Sequence, residues 1–348
     1  MKIAVVNSGS SSLKFKLFDV DENLVLVNIL IEEIGKSVKN HHEALEQIIL
    51  ELKSKNIELN TLDAIGHRVV HGGEEFCEPI LIDDDVVEKI KELIPLAPLH
   101  NPSNLEGILV IRKIAPEVKQ IAVFDTAFHS TMPIESYLYA IPYNMYEKYK
   151  IRRYGFHGTS HSYVAKQSAK LLNKKLDEIN LITLHLGNGA SVCAIKNGKS
   201  MDTSMGFTPL EGLVMGSRCG DIDAAILIHM QRELNFSVDD VDKLLNKESG
   251  LLGICNESDV RKIIESSDKR STLAIDMMVR RIQKYIGGYM AILSRVDAIV
   301  FTGGIGENSQ YIRDRVLQST LFKDTKVLVV KTDEELEIVN ECLSVLKS

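Results

Sequence analysis

Alternating apolar and polar positions open the chain. KIAVVN (2–7) and LKFKLFD (13–19) read as strands on either side of the polar turn SGSSS, and NLVLVNIL (23–30) supplies a third strand. Helical spacing follows near 40–55, 84–94 and 103–114, with strand-like DAIGHRVV (63–70) and KQIAVFD (119–125) among these stretches. The opening order then recurs, because INLITLHLGNGASVCAIKNGK (179–199) is again strand, small polar turn and strand. A long helical run over 272–296 leads into VDAIVFTGG, and KVLVVK and the helix DEELEIVNECLSVLK close the chain. A hairpin followed by mixed α/β structure, occurring twice, predicts two related α/β domains facing each other. The second set of motifs places the boundary near residue 150, giving domains 1–149 and 150–332.

Composition narrows the class of function. At 348 residues the chain is long enough for two cores. A formal net charge of −7 argues against nucleic acid or an anionic membrane as the main partner, although it leaves room for a local basic pocket. The five cysteines (Cys77, Cys193, Cys219, Cys255 and Cys342) are scattered and form no CxxC pair, which fits a reducing compartment better than a disulfide framework or a zinc ribbon. No apolar run approaches the roughly 20 residues of a membrane span, and MKIAVVN turns polar too early for a leader. A soluble, cytoplasmic protein is the expectation.

The candidate chemistry is anion binding. Ser8-Gly9-Ser10-Ser11-Ser12, followed by Lys14, offers small residues, hydroxyls and one cation, but lacks the second glycine and helical context of a Walker loop. Leu186-Gly187-Asn188-Gly189-Ala190-Ser191 has the same character. Gly303-Gly304-Ile305-Gly306-Glu307-Asn308 follows an apolar strand and precedes a helix, where backbone donors and the dipole favour an anion or a nucleotide. Arg68 and Arg218 carry planar forks suited to phosphate or carboxylate, though an isolated arginine is most often a surface ion pair. Asp125 ends a strand, as a cleft carboxylate or as a local cap. Seven of the ten histidines fall in compact polar motifs: His67, His71, His100, His129, His157, His161 and His185. The pairs His67/His71 and His157/His161 have the i, i+4 spacing of metal ligands. One pair lies in a strand-like run, the other is interrupted by Gly158, and neither has the metalloprotease glutamate. Structural hydrogen bonding suits most of these histidines, leaving one or two to touch a phosphoryl group. Glu334 and Glu335 open the last helix as ordinary dipole partners, with metal binding the rarer alternative. Together the set describes phosphoryl transfer, which depends on positioning and charge stabilisation.

These motifs closely resemble the acetate kinase family of the acetate/sugar-kinase and actin-like superfamily. The resemblance runs through NSGSSSLKF (7–15), GHRVVHGGE (66–74), APLHNPSNLEGI (97–108), VFDTAFHSTMP (123–133) and RRYGFHGTSH (152–161). It continues through HLGNGAS (185–191), DTSMGFTPLEGLVMGSRCGDID (202–223), FTGGIGENS (301–309) and TDEEL (332–336). It implies two duplicated actin-like (ribonuclease H-like) α/β domains with an interdomain active-site cleft, and a C-terminal helix, 333–348, packing back on the first domain. It also implies a homodimer, and Mg²⁺-dependent (or Mn²⁺-dependent) in-line transfer from ATP to acetate. Carried over by motif, Asp125, Arg68, Arg218, His157 and His100 are catalytic, with His157 and Arg218 stabilising the transition state. Val70, Leu99, Phe156 and Pro209 join Arg68 in binding acetate. Lys14, His185, Leu186, Gly187, Asn188 and Gly189 would bind ATP, as would Asp259, Val260, Arg261, Gly304, Ile305, Gly306, Glu307 and Asn308. Asn7 and Glu334 stand at the metal, which Asp125 would also help hold through water. Ser217, Cys219, Ala224 and Asp333 depart from the usual residues, and the chain is compressed between Lys14 and Arg68 and between Asn308 and Glu334. Propionate or butyrate kinases are the neighbouring readings; a catalytically silent actin-like nucleotide-binding scaffold is the reading from another class.

Overall fold

Strand β1 (Lys2–Ser8) turns back into β2 (Leu13–Asp19) and β2 into β3 (Leu24–Ile31), making an antiparallel ribbon. Strands β4 (Ala64–Val69) and β6 (Lys119–Phe124) then add in parallel beside β1, and the short β5 (Ile80–Leu81) closes the edge, giving the order β3-β2-β1-β4-β6-β5. The computed structural model describes residues 1–9 and 11–347. Ser10, in the middle of the serine turn, lies outside the described residues.

The second sheet repeats this plan. β7 (Asn180–Leu186), β8 (Ala190–Lys196) and β9 (Lys199–Thr203) form the antiparallel ribbon, while β10 (Ala298–Thr302) and β11 (Lys326–Val329) add in parallel beside β7. Its order, β11-β10-β7-β8-β9, reproduces β6-β4-β1-β2-β3 of the first sheet. The repeat expected from the two hairpins is therefore a repeat of whole-sheet topology.

The chain divides into two compact units, Met1–Ser130 with Asp333–Ser348, and Thr131–Thr332. The sequence motifs set the first boundary at 149/150; the observed division falls earlier because residues 131–149 bond within the second unit. Thr131 Oγ1 donates to the Ser200 carbonyl at 2.9 Å, and the Arg153 amide donates to the Tyr137 carbonyl at 2.7 Å. Among the described residues, no helix is long and apolar enough to cross a membrane.

The last helix, Glu334–Lys347, lays Ile338, Val339 and Cys342 on Ile3, Val5, Ala64, Ile121 and Val123 of the first sheet. Gly66, in the middle of β4, permits this close approach: a Cβ there would lie 2.7 Å from both Cys342 Sγ and Ile338 Cγ2. Crowding a packed core costs typically about 1–3 kcal/mol. Gly66→Ala should lower Tm and expose the C-terminal helix to proteolysis, and adding Cys342→Ala should recover part of the loss. An unchanged Tm and protease pattern in Gly66→Ala would refute the packing argument.

Candidate active site

In the first unit, parallel pairing sets Arg68 opposite Val123 and Val69 opposite Phe124, so Asp125 emerges just beyond the end of β6 beside Arg68. The Asp125 amide continues the ladder to the Val69 carbonyl at 3.0 Å. Asp125 is 1% exposed and takes both arms of the Arg68 fork, with Nε at 3.2 Å from Oδ1 and Nη2 on Oδ2. Arg68 Nη1 reaches Asn7 Oδ1 at 3.5 Å, at the end of β1. Burial works against the Arg68 charge, but Asp125, Glu334 and Glu335 outweigh it and hold the guanidinium firmly protonated. The pair is thus an oriented fork with N–H donors left on Nη1 and Nη2.

The helix Asn101–Ile114 fixes this centre from one side. Asn104 accepts from the Val70 amide at 3.0 Å and donates to the Ser8 carbonyl at 2.6 Å, joining the ends of β1 and β4. Asn101 accepts from the His71 amide and donates to its carbonyl, both at 3.1 Å. His100 stands at the N-cap of this helix. Val70 is buried beside the Asn104 clamp, whereas Leu99 is 56% exposed. The serine turn is partly structural: Gly9 donates to the Ser12 carbonyl at 2.8 Å, and its own carbonyl meets His41 Nε2 at 2.7 Å. Lys14 is engaged by Glu335, and Lys16 by Asp333 at 3.3 Å, so β2 holds the start of the last helix. Between those two acids, burial raises the Glu334 carboxyl above its usual value; Arg68 opposes the shift, and Asp125 and Glu335 add to it.

Asn7, Asp125 and Glu334 carry hard oxygen donors of the kind that Mg²⁺ takes, with Asp125 also held by Arg68. Among the described residues, no group of three or more His, Cys, Asp or Glu side chains is arranged to hold a metal alone.

In the second unit, a cleft of roughly 600 Å³ is lined by Gly187, Asn188, Asp259, Val260, Arg261 and Gly304, together with Ile305, Asn308, Ser258 and Ser309. It unites three segments that the motifs placed at ATP, and its size lies within the roughly 300–1,000 Å³ usual for ligand pockets. Ser258 and Ser309 were not singled out from the sequence; each only flanks a recognised motif. The remaining nucleotide-motif residues build the walls. Glu307 Oε1 accepts from the Gly303 amide at 3.0 Å and the Thr332 amide at 3.1 Å, so that carboxylate holds backbone. Gly306 packs against β7, and Leu186 and Gly187 line a separate small apolar cavity with Leu213, Met215 and Ile305. Asp259 caps the helix Val260–Glu265, and its bonds to the Arg261 side chain and amide pull its carboxyl down to about 2.

His157 and Arg218 flank the nearby Gly189. A Cβ at Gly189 would lie 3.6 Å from Arg218 Nη1 and 3.6 Å from His157 Nε2. His157 is the N-cap of the helix Gly158–Leu171 and has φ 58, a left-handed conformation that costs a non-glycine residue about 1–3 kcal/mol. The sequence took Gly158 as an interruption of the His157/His161 pair; it is instead the first residue of the helix that carries His161. The His157 ring stacks on His185 at 4.3 Å, and His185 Nδ1 meets Ser160 Oγ at 2.7 Å. Arg218 Nη1 donates to the Pro209 carbonyl at 3.2 Å, and no carboxylate among the described residues lies within ion-pair distance. Burial alone therefore acts on this guanidinium, lowering its pKa. A half-buried arginine without an acidic partner is prepared for an incoming anion. Phe156 is buried next to His157 in the chain, and Pro209 is partly buried.

A sequence model of the acetokinase family matches residues 34–344. The acetate kinase of Sulfurimonas denitrificans is 52% identical over 389 aligned positions, covering 100% of each chain. The chain belongs to the acetokinase family. Its fold matches the crystal structure of Porphyromonas gingivalis acetate kinase with a TM-score of 0.94 at 39% identity, covering 99% of each chain. It also matches a propionate kinase from Francisella tularensis with a TM-score of 0.93 at 41% identity, covering 98% of each.

One further acetokinase motif residue, Arg153, was not singled out from the sequence. Its Nη1 donates to the carbonyls of Thr203 (2.9 Å), Ser204 (3.3 Å) and Met205 (3.0 Å), and its Nη2 to Glu211 at 2.5 Å. It thereby holds the chain that leads from β9 toward Pro209. Asp202 sits beside it at 3.8 Å, and burial pushes that carboxyl up to about 6 against the pull of Arg153. A raised carboxyl pKa means that the folded state holds its proton more tightly than the unfolded chain does. Stability is then lost as pH rises from about 4, the ordinary carboxylate value, through about 6. Asp202→Asn should unfold at a higher temperature than the parent at pH 7, with the difference vanishing below about pH 4. A parallel Tm-versus-pH curve for the two proteins would contradict this.

Proposed function

We propose that this chain is an acetate kinase, transferring the γ-phosphoryl group of ATP reversibly to acetate to give acetyl phosphate and ADP. The observation that carries the reading is Arg218: its guanidinium is half-buried, unneutralised, and directed with His157 toward one small glycine turn beside the nucleotide-sized cleft. Family membership and full-length similarity to named acetate kinases supply the substrate class.

Acetate is ionised near neutral pH, so the reaction needs no strong general base. Arg68, held by Asp125 and Asn7, orients the acetate carboxylate with its remaining donors. Arg218 and His157 donate to the oxygens of the phosphoryl group in flight, where charge is spread over several atoms. The turn Gly187–Gly189 and the segments Asp259–Arg261 and Gly304–Asn308 hold the nucleotide. Mg²⁺, or Mn²⁺ in its place, neutralises phosphate charge when bound, and Asn7, Asp125 and Glu334 would hold it. Val70, Phe156 and Pro209 limit the acyl chain, Leu99 contributing at the surface. We further propose a cytoplasmic homodimer. Its support is the exposed apolar side chains Ile222, Ile226, Ile228, Leu234 and Val238 on and around the helix Ala225–Glu233, which has no buried residue. Propionate phosphorylation is the second reading, favoured by the similarity to the Francisella propionate kinase.

Hydroxylamine trapping of the acyl phosphate formed from ATP, Mg²⁺ and a series of short carboxylates tests the reaction. Acetate should give the highest kcat/KM, and an absence of product from every carboxylate would reject a kinase. Arg218→Ala should lower kcat by at least about 10²-fold with the fold retained, the usual scale for losing a transition-state donor. A change confined to KM would remove Arg218 from that role. Val70→Ala should improve propionate over acetate by about tenfold, the discrimination expected of one methylene. An unchanged ratio would place the acyl pocket elsewhere.

A further inference from the structure

Behind His157 runs a chain of hydrogen-bonded side chains that the proposed reaction does not use. His157 Nδ1 lies 2.9 Å from Ser191 Oγ, Ser191 Oγ lies 2.8 Å from His161 Nε2, and His161 Nδ1 lies 2.7 Å from Thr183 Oγ1. His161, Ser191 and Thr183 are each 0% exposed. The elements explain the meeting: His157 and His161 are four residues apart at the start of one helix, Ser191 begins β8, and Thr183 lies on the neighbouring β7. Because His161, Ser191 and Thr183 are buried, water does not readily restore their bonds when a member is removed.

We infer that Thr183, His161 and Ser191 are positioning residues that fix the tautomer of His157, keeping it neutral with its proton on Nε2. This rests on the proposed role of His157 as a donor to the phosphoryl group. Each hydroxyl gives one proton, and each neutral imidazole has one donor and one acceptor nitrogen. Running the chain from Thr183, its hydroxyl donates to His161 Nδ1, His161 Nε2–H donates to Ser191, and the Ser191 hydroxyl donates to His157 Nδ1. The His157 proton is then on Nε2, the nitrogen beside Gly189. The opposite direction puts a proton on His157 Nδ1. A neutral ring then turns an Nε2 lone pair toward phosphate oxygens, which repel it. A doubly protonated ring would stand as a cation beside Arg218, with like charge opposing it. The left-handed backbone of His157 belongs to the same device, since it brings Nδ1 onto Ser191 while Nε2 faces the turn.

The test is long-range ¹H–¹⁵N NMR of the full chain labelled with ¹⁵N-histidine, with His157 assigned by comparison with His157→Asn. The expected spectrum has Nε2 protonated and Nδ1 bare in both His157 and His161. Ser191→Ala should give a mixed His157 tautomer and lower kcat by about tenfold to a hundredfold, the scale of removing a group that orients a functional histidine, with the KM for ATP little changed. Thr183→Val, which keeps side-chain shape at the far end, should move the same signals in the same direction. His161→Gln, whose amide can replace Nε2–H, should retain more activity than His161→Leu. A His157 proton on Nδ1 in the parent protein, or an unshifted tautomer in Ser191→Ala, would overturn the proposal. An Nε2 proton together with normal kcat in His157→Asn would uphold the relay and instead overturn the role of His157 in transfer.

Discussion

Parallel strand registration is the constraint on which both halves of the chemistry depend. In the first unit, β4 lies between β1 and β6, so Asn7, Arg68 and Asp125 all emerge at the same end of the sheet. In the second, β10 pairs with β7 so that Thr302 stands opposite His185. Gly303 and the turn after Leu186 are then neighbours, and Gly303 takes a positive φ of 76° close against the Leu186 backbone. Open α/β sheets bind ligands beyond the carboxyl ends of their strands because side chains and free backbone donors converge there. The duplicated topology supplies that arrangement twice.

The two units use charge differently. In the first, the main charges answer one another: Arg68 with Asp125, Lys14 with Glu335, and Lys16 with Asp333. Desolvation makes a buried ion pair a weak source of stability, but it fixes a direction for the arginine fork. Among the described residues of the second unit, Arg218 meets a carbonyl and a thioether, and His157 meets the Ser191 hydroxyl and stacks on His185. One unit thus presents a neutralised, oriented cation, which in the proposed reaction receives the carboxylate. The other presents a cation with no carboxylate partner among the described residues, which in the proposed reaction meets the phosphoryl charge.

Local periodicity made the sheets readable, since β1, β2, β4, β6, β7, β8 and β10 all stand where apolar alternation or apolar runs placed them. The turn chemistry similarly marked Gly187–Asn188 and Gly304–Asn308, which now share one cleft. Residues whose partners are distant in sequence were not readable. Asn104 gains its meaning from Ser8 and Val70, His41 from Gly9, and Arg153 from the carbonyls after β9. Asparagine, histidine and arginine are common enough that none signals such a bond by itself. Lys14 follows a serine turn and reads locally as an anion ligand, yet its ammonium is held by Glu335 near the other end of the chain. His157 stood out in a compact polar motif, but its left-handed N-cap position was not legible, because a glycine directly after it usually weakens a helix.

In the proposed reaction these side chains position and stabilise a phosphoryl group that passes directly from ATP to the carboxylate, with no side chain taking it up. The stereochemistry at phosphorus tests this most directly. With ATP made chiral at the γ-phosphorus by oxygen isotopes, a single in-line displacement inverts the configuration. The account predicts inversion in the acetyl phosphate formed. Retention would mean two displacements through a phosphorylated side chain, and would contradict it.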